Sequence, residues 1–101
     1  MLLARNYAKA MGIIHALKQS DPARRVAAML AVLVEDNSPG MTIAPASQWD
    51  IGELAHLGRS KVNTSLKALE SRRLIRRRYG AIEVVDPDGL RKLVHEGASQ
   101  G

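Results

Sequence analysis

Between Ser47 and Glu70 the chain carries two short apolar stripes, Ile51-Leu54-Ala55 and Val62-Leu66-Leu69, separated by His56, Leu57 and Gly58. Each stripe recurs at the three- and four-residue steps of one helix face. Ser47, with an acid at Asp50 three residues on, has the form of a capping box that starts the first helix. Two short helices about three residues apart predict a helix-turn-helix.

The flanking segments read in the same way. Residues 2 to 19 contain no Pro and one Gly, and Leu3, Tyr7, Ala10, Ile14 and Leu17 fall at spacings of 4, 3, 4 and 3. That is a heptad stripe, read here as part of a dimerisation helix; the alternative is an ordinary amphipathic helix packed on its own domain. No capping residue precedes Leu3, so the chain is expected to begin inside a helix, as a domain-only version of a longer protein would. Asp21-Pro22 starts a second helix with Ala23, Val26, Ala27, Leu30, Leu33 and Val34 on its core face, closed by Asp36-Asn37-Ser38-Pro39-Gly40. Met41 to Ala44 is a short extended candidate ahead of Pro45. Residues 74–78 and 81–85 are strand-like and flank Tyr79-Gly80, a small hairpin. Asp86-Pro87 repeats the cap-plus-proline start, and Leu90, Leu93 and Val94 define a last short helix. The predicted organisation is a partial dimerisation helix over 1–19, a winged helix-turn-helix over 20–96 and a flexible tail over 97–101: mainly α with a small β-wing.

Composition narrows the chemistry. At 101 residues the chain fits one domain, and 46% hydrophobic content suffices for a core. With no Phe, two Tyr and one Trp, a stacking platform for single-stranded nucleic acid is hard to build. The absence of Cys removes disulfides, thiolate metal sites and thiol nucleophiles and suits a reducing cytosol. No apolar run approaches the ~18 residues of a membrane span, and Arg5, Asn6 and Lys9 do not fit a signal peptide, so a soluble, cytoplasmic protein without a membrane partner is expected. His15, His56 and His95 are far apart in sequence and no nucleophile, phosphate-loop or metal-ligand motif occurs; neither enzyme activity, metal nor cofactor is expected. Charge is the informative feature. From Arg59 to Arg78 there are eight basic residues against one acid, +7, while the whole chain carries +5, so the remainder sums to −2. Such segregation is what a polyanion-binding face looks like in sequence; the alternative is a solvated basic surface.

The run Ile51-Gly52-Glu53-Leu54-Ala55-His56-Leu57-Gly58-Arg59-Ser60-Lys61-Val62-Asn63-Thr64-Ser65-Leu66-Lys67-Ala68-Leu69-Glu70, followed by Leu74-Ile75 and a Gly turn, resembles the DNA-binding domain of the Crp/Fnr family of bacterial transcription regulators. The Pro22 helix with Arg25 and the ending Val85-Asp86-Pro87-Asp88-Gly89-Leu90 resemble the family's flanking segments, so the likeness covers essentially the whole chain. It implies a winged helix-turn-helix that binds double-stranded DNA as a homodimer, with RNA polymerase as a further candidate partner. Gly52 is small where the helices cross, and Ile51, Leu57 and Val62 are apolar where they face inward. His56 stands where the family usually has Gly, and Gly58 where it has Ser as cap. Where well-known members open the recognition helix with an Arg-Glu pair and place a second Arg one turn later, this chain has Arg59, Ser60 and Thr64, so only Arg59 is carried over as a guanine reader. The N-terminal sensor barrel that family members normally carry is not expected to form from these 101 residues, and no effector site is expected among them.

The expected base-contacting residues are Arg59, Ser60, Asn63 and Thr64, with Asn63 able to pair bidentately with adenine. Expected phosphate contacts are Lys61, Lys67, Arg72, Arg73, Arg76, Arg77, Arg78 and Ser47, and His56 is at most one more. The expected dimer interface is Leu3, Tyr7, Ala10, Ile14 and Leu17. Two alternatives stay open from sequence: a winged-helix protein-interaction module and a non-specific DNA-binding accessory protein.

Overall fold

The computed structural model describes residues 2–35 and 42–99, with side chains described for residues 10–34 and 42–96. Among these residues the chain forms α1 (Leu2–Leu17), α2 (Pro22–Glu35), β1 (Ile43–Ala44), α3 (Gln48–Ala55), α4 (Arg59–Ser71), β2 (Ile75–Arg78), β3 (Ala81–Val84) and α5 (Pro87–Ser99). Short-range chemistry sets the helix starts. Asp21 Oδ2 accepts the Arg24 N–H at 3.0 Å, one residue ahead of Pro22. Ser47 Oγ accepts from the Asp50 N–H at 3.1 Å and the Asp50 carboxylate accepts from the Ser47 N–H at 2.9 Å, a reciprocal capping box. Asp86 Oδ1 repeats the device on the Gly89 N–H at 3.0 Å. The expected close of α2 at residues 36–40, and Met41, lie outside the described residues. Helix α5 runs on to Ser99, through residues 97–99 where sequence predicts a tail, since glycine in a last turn weakens a helix without removing a hydrogen bond.

Helix α2 is the centre of the packing. Val26, Ala27 and Leu30 meet Ile51 of α3, Val62, Leu66 and Leu69 of α4, Ile82 and Val84 of the sheet and Leu90 of α5 in one core. Ala28 and Met29 are buried on the other side, against Ala16 with Ile13 and Leu17 beside it. The sequence stripe anticipated the first face and missed the second. A Cβ on Gly12 would lie 2.9 Å from Val32 Cγ2, so its absence lets α1 approach α2 closely. Of the expected dimer stripe, Ala10 and Ile14 are exposed, Leu17 is half-buried against its own domain, and the Leu3 and Tyr7 side chains lie outside the described residues. One face of α1 is therefore occupied within the chain, and Met11 and Ile14 lie outside that contact.

The sheet has the order β1-β3-β2, antiparallel throughout. Ile43 pairs with Glu83 and Ala44 with Ile82, while Ile75 to Arg78 pair with Val84 to Ala81. Gly80, at φ +67°, takes the left-handed conformation in the two-residue turn with Tyr79. Strand alternation puts Ile75 and Arg77 on one face of β2 and Arg76 and Arg78 on the other. This division decides what each arginine does.

Candidate nucleic-acid interface

The turn between α3 and α4 is built from backbone geometry. His56 adopts φ 55°, ψ 45°; its N–H donates to Glu53 O and the Leu57 N–H donates to Gly52 O at 3.0 Å. This is a Schellman ending, with His in the left-handed position that glycine usually fills. A Cβ on Gly52 would meet Val62 Cγ2 at 3.1 Å and Leu57 O at 3.2 Å, so the helices cross where only glycine fits without displacement. Behind the turn, Arg25 Nη1 donates to Ala55 O at 3.1 Å and Nε donates to Gln19 O at 2.9 Å. Arg25 thus ties the end of α3 to the link between α1 and α2, satisfying an otherwise orphaned helix-end carbonyl. Gly58 caps α4 with extended backbone and no side-chain bond, which leaves the first α4 amides open.

Helix α4 buries Val62, Ser65, Leu66 and Leu69 and exposes Arg59, Ser60, Lys61, Thr64 and Lys67, with Asn63 half-buried. Its far end repeats the turn chemistry. Arg73 has φ 60°, its N–H donates to Glu70 O at 2.9 Å, and the Leu74 N–H donates to Leu69 O at 3.1 Å, a second Schellman ending that buries Leu74 near Leu69. Arg72 and Arg73 are left exposed beside the wing.

The cations expected to act alike fall into two groups. Arg59, Lys61, Lys67, Arg72 and Arg73 form no ion pair among the described residues. On the wing, Arg78 pairs with Glu83 at 2.7 Å and Arg76 approaches the same carboxylate at 3.8 Å. Arg77 turns toward α4, where Nη2 pairs with Glu70 Oε1 at 2.8 Å, Nε donates to that oxygen at 3.0 Å, and Nη1 donates to Asn63 Oδ1 at 3.1 Å and Gln48 Oε1 at 3.3 Å. Arg77 is thus engaged within the protein, unlike the free wing cation that sequence reading makes of it. The Ser47 hydroxyl accepts the helix-cap bond from the Asp50 N–H, a role that does not use its own O–H donor.

Sequence reading missed Trp49. It is 64% exposed and lines, with Gln48, Glu53, His56 and Arg59, a cleft of about 510 Å³ between α3 and the start of α4. Its position beside the capping box, one residue before Asp50, was the available signal. Gln48 was missed too, because its partner Arg77 lies 29 residues away. Among the described residues no three His, Asp or Glu side chains gather to hold a metal ion, and no helix is long and apolar enough to cross a membrane.

The same architecture occurs in solved structures. A transcriptional regulator of the CRP/FNR family from Thermus thermophilus is 26% identical, superimposes with a TM-score of 0.72, and aligns over 92% of this chain and 50% of its own. Two further structures share the fold: a CRP-family regulator from the same organism (20% identity, TM-score 0.74, 92% and 50% covered) and the Thermus thermophilus catabolite activator protein (24%, 0.67, 94% and 44%). The chain spans about half the length of these structures. No curated protein sequence matches it. Residues 24–93, from the start of α2 to α5, match the Crp-like helix-turn-helix domain, and the chain belongs to that family.

Proposed function

We propose that this chain is the DNA-binding unit of a transcription regulator, with α4 lying in the major groove of a B-form duplex. The observation that carries the reading is the group of five cations, Arg59, Lys61, Lys67, Arg72 and Arg73, on and beside the exposed face of α4, which form no ion pair among the described residues. Neutralising phosphates with such cations releases condensed counterions, which favours binding strongly at low salt. Arg59 at the entering end of α4 is the guanine reader, with Ser60, Asn63 and Thr64 beside it. Lys61, Lys67, Arg72, Arg73 and the outward Arg76 and Arg78 hold the backbone. The similarity to a CRP/FNR transcriptional regulator supports duplex DNA as the partner and transcription as the process.

In this reading two copies join through α1. Met11 and Ile14 are 48% and 46% exposed there, a pair of apolar side chains that a second α1 would cover. A two-fold pair would set its α4 helices about 34 Å apart, one turn of DNA. RNA polymerase is a further partner of such a regulator, and the cytoplasm its compartment.

The test is enrichment of duplexes from a random pool, followed by anisotropy titration of the enriched and scrambled sequences. The expected result is a repeated, two-fold related motif bound more tightly than the scrambled duplex and than single strands. Equal binding of all three, or none at low salt, overturns the proposal.

A further inference from the structure

The contacts of Arg77 reach further than neutralisation. We propose that Arg77 is a positioning residue that sets the hydrogen-bonding polarity of Asn63, so that α4 offers this position an amide donor and reads a base with an acceptor edge. The inference rests on the DNA-binding reading above and specifies what one position of that site selects.

A guanidinium has five N–H donors and no acceptor. Arg77 directs Nε and Nη2 to Glu70 Oε1 at 3.0 and 2.8 Å, and Nη1 to Asn63 Oδ1 at 3.1 Å and Gln48 Oε1 at 3.3 Å. Because the guanidinium cannot accept, each amide must turn its oxygen toward it; a flipped amide would set N–H against N–H. The arrangement is held from both sides. Ile75, on the same face of β2, is buried in the core, and Glu70, seven residues along α4 from Asn63, neutralises the arginine. The Arg77 and Glu70 side chains are partly buried, 29% and 33% exposed.

The consequence follows from the edges of the bases. A bidentate contact to adenine needs the amide oxygen to accept from N6 while the amide nitrogen donates to N7. Arg77 takes one of the two lone pairs of Oδ1 and turns that oxygen toward itself, so Nδ2 is the end of the amide that faces away from Arg77. Guanine presents two major-groove acceptors, whereas cytosine presents an N4 donor that an amide N–H opposes. The base facing Asn63 is therefore one with major-groove acceptors, guanine with two ahead of adenine and thymine with one each, and cytosine is disfavoured. The expectation from sequence, a bidentate adenine contact, is replaced on this account.

The experiment is selection and sequencing of bound duplexes with the full chain and two variants, each checked for folding by circular dichroism. Asn63→Asp keeps an acceptor for Arg77 and exchanges the amide donor for a carboxylate oxygen, so cytosine should rise at one base pair by about 5- to 150-fold relative to wild type. Arg77→Ala frees the amide to rotate, so adenine should rise at that same base pair while other positions keep their profile. An Arg77→Ala profile unchanged at every position, with all sequences weakened equally, makes Arg77 a plain backbone contact and overturns the proposal. An Asn63→Asp profile identical to wild type overturns it as well, and needs only that variant to fold. A wild-type chain that enriches no sequence refutes the DNA-binding reading itself, an outcome distinct from either.

Discussion

Raising salt from 50 to 200 mM should weaken DNA binding by about 10³-fold per chain, a magnitude that follows from which cations are free. Residues 59–78 carry eight basic side chains, but Arg77 is matched by Glu70 at 2.8 Å, and Arg76 and Arg78 share Glu83. The five cations without an ion pair among the described residues and about one net charge from the Glu83 group leave roughly six phosphates neutralised at most. At about 0.9 counterions per phosphate the log–log slope is about −5, and a fourfold rise in salt lowers the affinity about 10³-fold. Two variants move the slope in opposite directions. Arg72→Ala removes a free cation and should make the slope shallower by about 1. Glu83→Gln releases the charge it compensates on Arg76 and Arg78 and should steepen the slope by up to about 1 while tightening low-salt binding. Anisotropy titrations of a labelled duplex across a salt series measure all three slopes. If the two variants keep the wild-type slope, these charges do not face phosphate and the wing and the end of α4 lie away from the DNA.

Arg59→Ala should cost about 1–3 kcal/mol on a selected duplex and relax preference at one base pair, read from titrations against single-mismatch duplexes. Ile14→Glu places a charge on an apolar position 46% exposed in α1, so sedimentation across a concentration series should show dimerisation lost while the thermal unfolding of the domain stays close to wild type. His56→Gly should raise stability in urea by about 0.5–1 kcal/mol, because relief of the left-handed conformation at φ 55°, about 1–2 kcal/mol, outweighs the extra freedom of glycine in the unfolded chain, about 0.5–1 kcal/mol. A loss of stability there would show that the imidazole makes compensating contacts.

Where helices begin was legible because the signals are local. Asp21-Pro22, Ser47 with Asp50, and Asp86-Pro87 each satisfy amide groups within four residues, so sequence neighbours alone settle them. The hairpin at Tyr79-Gly80 and the crossing at Gly52 were legible for the same reason, and Ile51, Ala55, Val62, Leu66 and Leu69 of the two stripes are core, whereas Leu54, expected beside them, is exposed because the short helix α3 meets the core along Ile51 and Ala55. Helix α1 was harder, since apolar residues lie on more than one of its sides and a stripe by itself does not say which side meets α2. Small Gly12 and Ala16 decide it by allowing close approach, which turns Ile13 and Leu17 inward.

The charges of α4 and the wing divide along the same line. The sequence by itself determined that a basic surface coincides with α4 and the wing, because the eight cations between Arg59 and Arg78 sit on elements whose apolar positions were already assigned. Only the tertiary structure decided which of them are available to a ligand. Glu83 reaches Arg76 and Arg78 through strand pairing, and Arg77 meets Glu70, Asn63 and Gln48 because β2 folds back on α4 and α3. The two-residue alternation of β2 was the available hint for Arg77, since it shares a face with Ile75, but alternation names a side and not a partner. Those partners are 7 to 29 residues away in the chain, and an ion pair or hydrogen bond acts over a few ångströms, so composition and spacing could supply the charges while the packing of the wing alone could pair them.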